Sequence, residues 1–262
     1  MIRTKHVFRQ DMPALRYAAL GDTAVRVLSI HHLVERYQLD ALVVPLPDPR
    51  FIPLWQAVFG EDRVVLDPAS IPDDFRHAHV SAPTNLDWQY GAAAWNVFES
   101  IMWEAGFFDT ARLRITPPII FPCNPRAKAA MIYPAEKTDG NACYDAQWWL
   151  QTSSAIRRRG LAIHHLGRRD HEPLAEFYER FTPDREYEPT IDGLQRCAAD
   201  SSLAIGASTG PTWALLFSNI PQIVLESRRS PHGYWFFDRC QQVLTKRLCI
   251  VPTLDAALAR FS

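Results

Sequence analysis

Short apolar runs alternate with helical patterns in both halves of this 262-residue chain, and the alternation restarts after a proline-rich stretch. An apolar run buried on both faces needs helices above and below its sheet, so such a chain folds as strand, crossover helix and parallel strand. The clearest unit is Leu203-Ala-Ile-Gly-Ala-Ser-Thr-Gly-Pro-Thr-Trp-Ala-Leu-Leu-Phe-Ser-Asn-Ile-Pro-Gln-Ile-Val-Leu225. It reads as a strand, a turn of small residues, a helix and a second strand. Gly206 to Thr212 then stand at a helix N-terminus, where backbone N–H groups and hydroxyls favour an anionic phosphate.

The first half repeats the pattern. The run Ala14–Leu20 is expected to be a strand, closed by Gly21-Asp22-Thr23 and followed by a helix through Tyr37. Ala24, Val27, Leu28, His31 and Val34 recur at helical spacing and give that helix a face for a sheet. Asp40–Leu46 and Arg63–Asp67 are the next expected strands, with helices at Phe51–Phe59 and Trp88–Gly106. Ile115–Pro125 carries four prolines, must be extended and reads as an interdomain linker. Beyond it come strands at Lys128–Pro134, Leu161–Leu166 and Ser202–Ile205, and helices at Asp145–Arg159, Leu174–Phe181 and Ile191–Ala199. The expectation is an α/β protein of two Rossmann-like domains facing a cleft, spanning residues 1–122 and 123–262.

Composition closes off several function classes. A formal net charge of −1 gives no global attraction for nucleic acid. The five cysteines are scattered and never form a C-x-x-C pair, which argues against a disulfide framework or a zinc site and fits a reducing cytoplasm. No apolar run approaches about 18 residues and Met1–His6 lacks an apolar core, so neither a spanning helix nor a signal peptide is expected, which leaves a peripheral membrane contact open.

Three groups of residues can carry chemistry. Asp22 is placed for general-base work if ligands bind outside the carboxyl ends of the strands; the competing role for Asp22 or Thr23 is to cap the following helix. Ser208, Thr209, Gly210 and Thr212 can donate to a diphosphate, with Gly206 and Gly210 allowing close backbone approach. Arg168 and Arg169 follow a strand and can grip phosphate bidentately. Glu136-Lys137 and Glu226–His232 occupy similar loops. His164 and His165 do not make a metal pair, because consecutive strand residues point to opposite faces. The chain has no P-loop, no G-x-G-x-x-G, no H-E-x-x-H and no Asp-x-Asp pair.

Taken together, two turns resemble a known family. Tyr17-Ala-Ala-Leu-Gly-Asp-Thr-Ala-Val-Arg-Val-Leu-Ser-Ile-His-His-Leu-Val-Glu-Arg-Tyr37 resembles the opening of the ADP-heptose:lipopolysaccharide heptosyltransferases, and Ile205–Pro221 is similar to their donor-binding Thr-Gly helix. Trp95–Phe121 looks like the segment that closes their N-terminal domain. The resemblance implies a GT-B fold, with the acceptor held mainly by the first domain and a nucleotide-sugar by the second. No metal or other cofactor is implied. It makes Asp22 the catalytic base, flanked on the acceptor side by Gly21 and Thr23, and gives Thr209 and Gly210 to the donor phosphates. The implied reaction is direct displacement onto a glycan or small-molecule acceptor. The family's acidic residue before the Thr-Gly pair and its histidine three residues after are here Ser208 and Trp213. Its Lys-x-Trp-Pro element corresponds to Ala146-Gln-Trp-Trp149 without the lysine, so Lys137, Arg168 or Arg169 are the candidate replacements. Two other readings stay open: a nucleotide-sugar hydrolase or epimerase on the same fold, and a catalytically degenerate GT-B binding protein.

Overall fold

The structure is a computed structural model that describes residues 5–9, 20–45, 48–79, 116–134, 144–169, 172–207, 209–225 and 245–248. The chain divides into two compact units, Met1–Ile120 with His232–Gln241 and Phe121–Pro231 with Gln242–Ser262, and the first break falls inside the proline-rich stretch.

The first unit is built on three parallel strands, β1 (Lys5–Arg9), β2 (Asp40–Val44) and β3 (Arg76–His79), in the order β2-β1-β3. Helix α1 (Leu20–Tyr37) joins the first two, and α2 (Ile52–Phe59) follows β2. The expected strand at Arg63–Asp67 is reduced to a single parallel bridge between Val64 and Val43, on the free edge of β2. Counting that bridge, the order reads third, second, first, fourth, which is doubly wound.

The opening strand differs from expectation. The central strand is Lys5-His-Val-Phe-Arg9, and Leu20, expected to end a strand, is already helical. The run 14–20 is the longer apolar one, so hydrophobicity alone points to it. β1 has only Val7 and Phe8 as apolar residues, yet His6 beside them is 1% exposed, so the strand is central despite its cations. Residues 14–19 and the helix expected at Trp88–Gly106 lie outside the described residues.

The second unit carries six parallel strands: β4 (Ala129–Tyr133), β5 (Ala162–Leu166), β6 (Arg185–Tyr187), β7 (Leu203–Ala207), β8 (Gln222–Leu225) and β9 (Thr245–Leu248). Their order is β6-β5-β4-β7-β8-β9, the doubly wound dinucleotide-fold order counted from β4. Helices α3 (Ala146–Arg158), α4 (Ala175–Arg180), α5 (Ile191–Ala199) and α6 (Gly210–Ala214) alternate with the strands. Local signals set their ends. The Asp145 carboxylate accepts from the Trp148 N–H at 2.8 Å to start α3, and Thr190 does the same for Gly193 at 3.0 Å to start α5.

Two layers cover this sheet. Ala130, Ile132, Ile163, Ile205, Ile223 and Leu225 form one apolar face, packed on Trp149 and Ile156 of α3 and Phe177 of α4. Side chains alternate along each strand, so Met131, Tyr133, His164, Gly206 and Gln222 belong to the other face. His164 and His165 show that alternation directly. The His164 Nδ1 lies 3.1 Å from the Ser201 Oγ, whereas His165 packs against Tyr178 and Phe181 on the α4 side.

Candidate functional site

Neighbouring strands β4 and β7 are connected in opposite directions, so the crevice outside their carboxyl ends is the topological switch point of the second sheet. The chain leaves β7 at Ala207, and Thr209 precedes α6 in extended conformation (φ −133, ψ −179). Thr209 and Gly210 are half-buried there, so part of each faces outward. Pro211, in the first turn, has no N–H to offer an anion, which trims the donor set that the sequence suggests.

Two residues read as ligand contacts are occupied in holding the turn together. Thr212 is fully buried. Its hydroxyl donates to the Ala207 carbonyl at 2.7 Å and accepts from the Thr209 N–H at 3.5 Å, so it braces the turn from beneath. Gly206 is adjacent to Tyr133 in register, and the ring fills the space where its side chain would be; a Cβ there would lie 1.8 Å from the tyrosine Cε2. That glycine serves strand packing, not close approach of a ligand. Tyr133, missed in the sequence, is buried, donates to the Gln222 Oε1 at 3.4 Å, and has its phenol pushed up by burial. A glycine paired with an aromatic residue on adjacent strands was the available signal, but pairing is not visible before the strand order is known.

The strand β5 lies beside β4, and the loop after it separates two arginines that read alike in sequence. Gly167 takes φ +123, a conformation that L side chains rarely adopt, and Arg168 then stands exposed. Arg169 turns back onto the protein. It donates to the carbonyls of Tyr178 at 2.6 Å and Phe181 at 2.7 Å and pairs with the Glu186 Oε1 at 2.8 Å. Its guanidinium ties the end of β5 to α4 and β6 and is not presented to a ligand. Ser208, Lys137, Asp170 and Glu226–His232 lie outside the described residues.

In the first unit Gly21, Asp22 and Thr23 occupy the first turn of α1. A crossover helix between parallel strands runs antiparallel to them, so that turn lies toward the carboxyl ends of β1 and β2. Thr23 is 3% exposed, so its side chain packs inward. The helix is buried on more than the face expected from its periodicity: Thr23, Arg26 and Ser29 are buried together with Ala24, Val27 and Leu28. At its far end His31 and His32 are half-buried, and burial lowers both, His32 to about 4.

A separate polar cluster sits at the β6 edge of the six-stranded sheet. Tyr187 donates to the Asp200 Oδ2 at 2.6 Å and accepts from Arg185 at 3.1 Å, while its ring lies beside His164. Burial and the Asp200 contact push the phenol up to about 12. Cys197 is buried and its thiol is raised to about 12 by desolvation. Among the described residues no helix is long and apolar enough to cross a membrane.

No protein-family model matches the sequence, and comparison with curated proteins finds no match. Solved structures do match, and they define a class of fold: that of GT-B glycosyltransferases. The chain is similar to a glycosyl transferase family 9 protein from Veillonella parvula DSM 2008, at 11% identity and TM-score 0.62, over 99% of this chain and 92% of that one. It is similar to E. coli heptosyltransferase WaaC in a structure with ADP, at 10% identity and TM-score 0.57, over 99% and 100% of the two chains. E. coli ADP-heptose lps heptosyltransferase II matches at 11% identity and TM-score 0.52, over 98% of each chain. At such identities the likeness is one of fold.

Proposed function

We propose that this protein is a glycosyltransferase that moves a sugar from a nucleotide diphosphate sugar to a glycan or small-molecule acceptor. The observation that supports it most is the coincidence of two independent placements. The Thr209–Gly210 turn stands at the switch point of a dinucleotide-type sheet, and the whole chain shares its fold with a heptosyltransferase solved with ADP.

In this reading the donor diphosphate lies against Thr209 and Gly210, held from below by Thr212, and Arg168 neutralises part of its charge. Asp22 removes the proton from the acceptor hydroxyl as that oxygen attacks the anomeric carbon and the bond to the nucleoside diphosphate breaks. No metal ion takes part. Gly21 and Thr23 shape the acceptor side, and the reading requires that the two units bring donor and acceptor together. Reaction on the cytoplasmic side, where nucleotide-sugars are made, fits the scattered cysteines of the sequence.

The test has two stages. Nucleoside diphosphates and nucleotide-sugars are screened by thermal shift, where a ligand at about 100 times its dissociation constant adds roughly 2.7 kcal/mol of stability. Stabilising donors are then assayed for transfer with wild type and Asp22→Ala. The expected result is donor binding in both and transfer in the wild type alone, with a loss of about 10²- to 10⁴-fold. Sugar release without acceptor would favour the hydrolase reading, and no nucleotide binding at all would refute the donor site.

A further inference from the structure

We infer that Tyr133 is a positioning residue for the donor turn, its buried hydroxyl fixing Thr212 and, through Thr212, the backbone of Thr209 and Gly210; this rests on the reading of that turn as the diphosphate site. Tyr133 ends β4 and stands beside Gly206 of β7, where the missing side chain lets the ring lie across the strand. The hydroxyl at the tip of the ring thereby reaches past β7 to Gln222 of β8, whose Oε1 is 3.4 Å away. Its other partner is the Thr212 side chain.

The hydrogen bonds give each oxygen a definite role. Thr212 donates its proton to the Ala207 carbonyl at 2.7 Å, so its oxygen is left to accept. It accepts from the Thr209 N–H at 3.5 Å on one side and from Tyr133 on the other, and the tyrosine proton is shared between that oxygen and Gln222. Ala207 ends β7 and Thr209 precedes α6, so this one threonine hydroxyl ties together both ends of the turn. A threonine in a helix has two rotamers open to it, and the contact with Tyr133 selects the one that reaches Ala207. Tyr133 is 2% exposed, and Thr212 and Gln222 are fully buried, so these bonds are made away from bulk water, where each is stronger.

A turn held in one conformation binds its ligand at full strength. One that is braced only part of the time binds with its affinity reduced by that fraction. Loss of one neutral hydrogen bond shifts such an equilibrium by roughly 2- to 12-fold. Tyr133 meets no ligand atom in this reading, and its effect passes through Thr212.

The variant to make is Tyr133→Phe, which removes the hydroxyl and keeps the ring over Gly206. Hydrogen exchange is measured first, on the full chain without ligand, by mass spectrometry. Peptides covering Thr209–Ala214 are expected to exchange roughly 2- to 12-fold faster, and peptides covering α4, on the other face of the sheet, at the wild-type rate. An unchanged turn, or equal acceleration in both sets, overturns the bracing role. Affinity is then measured by calorimetry with inorganic pyrophosphate, ADP, CDP, GDP and UDP. Tyr133→Phe is expected to weaken whichever of these bind by roughly 2- to 12-fold, pyrophosphate included. In a Thr212→Val background the same substitution should change affinity no further, and an equal loss in both backgrounds overturns the route through Thr212. If Thr212→Val does not fold or does not bind, the single variant decides: wild-type affinity in folded Tyr133→Phe overturns the proposal, and weakened affinity with faster exchange confined to the turn supports it. Failure of the wild type to bind any of these probes would instead refute the donor site, and the exchange rates would still decide whether Tyr133 holds the turn.

Discussion

Gly206→Ala is the substitution for which the structure gives the most definite cost. The new Cβ would lie 1.8 Å from Cε2, 1.9 Å from Cδ2 and 2.3 Å from Cζ of Tyr133, against about 3.5–4.0 Å for a normal carbon contact. A gap of that size is beyond small adjustments, so either the ring leaves its place or the strands part. Tyr133 is 2% exposed, and an aromatic side chain of this size buries about 150–250 Å². At about 25 cal/mol per Å², expelling the ring costs about 4–6 kcal/mol. Overpacking that keeps the ring inside costs about 1–3 kcal/mol. The expected loss is therefore about 3 kcal/mol, or roughly 6–12 °C in Tm for a chain of this size. Thermal unfolding of Gly206→Ala, Tyr133→Ala and the double variant reads the contact itself. With the ring gone the methyl group has room, so the second substitution should cost almost nothing in the Tyr133→Ala background. An equal cost in both backgrounds, or an unchanged Tm in Gly206→Ala, would refute the claim that the ring dictates this glycine.

Other outcomes follow from the same packing. His165 is lowered to about 4 by burial, below its unfolded value of 6.5. The unfolded chain thus binds the extra proton, and stability is lost as pH falls from about 6.5 toward 4, by about 3 kcal/mol for this residue. Urea unfolding of His165→Phe at pH 7 and pH 5 should show a correspondingly smaller loss than the wild type. Tyr187 is raised to about 12, above the ordinary 10, so its contribution is present below pH 10 and lost as pH rises toward 12. Tyr187→Phe should lack that part of the alkaline decline in Tm. Arg169→Ala removes bonds to two carbonyls and Glu186 and should cost about 1.5–3 kcal/mol in unfolding assays. Arg168→Ala should leave Tm unchanged but weaken nucleoside diphosphate binding about 10-fold by calorimetry, a loss of roughly 1.4 kcal/mol.

Much of the second half of the fold was legible because β4 and β7 are apolar on both faces and α3 and α5 begin at a capping side chain. The helices expected at Asp145–Arg159 and Ile191–Ala199 are found as Ala146–Arg158 and Ile191–Ala199. Elements that failed this test are those whose polarity is supplied by position. β1 holds two cations and a buried histidine, and β6 is three residues long, Arg185-Glu-Tyr187, with two of its residues exposed. Apolarity cannot reveal such strands. What makes them strands is the ladder they share with a neighbour already in place, Arg9 beside Val44 and Tyr187 beside Leu166.

The candidate site was legible as a location and overcounted as chemistry, for a physical reason. Small and hydroxylated residues suit a phosphate turn, and they suit equally well a turn that must close tightly over a sheet. Only burial separates the two uses. Thr212 and Gly206 fall on the buried side, committed to Ala207 and Tyr133, while Thr209 and Gly210 remain at the surface of the switch point. The same division separates Arg169 from Arg168. A diphosphate placed here would meet few groups, and those few would be held in position by buried neighbours that never touch it. Substitutions of the outer set should therefore change affinity at constant stability, and substitutions of the inner set should change stability first.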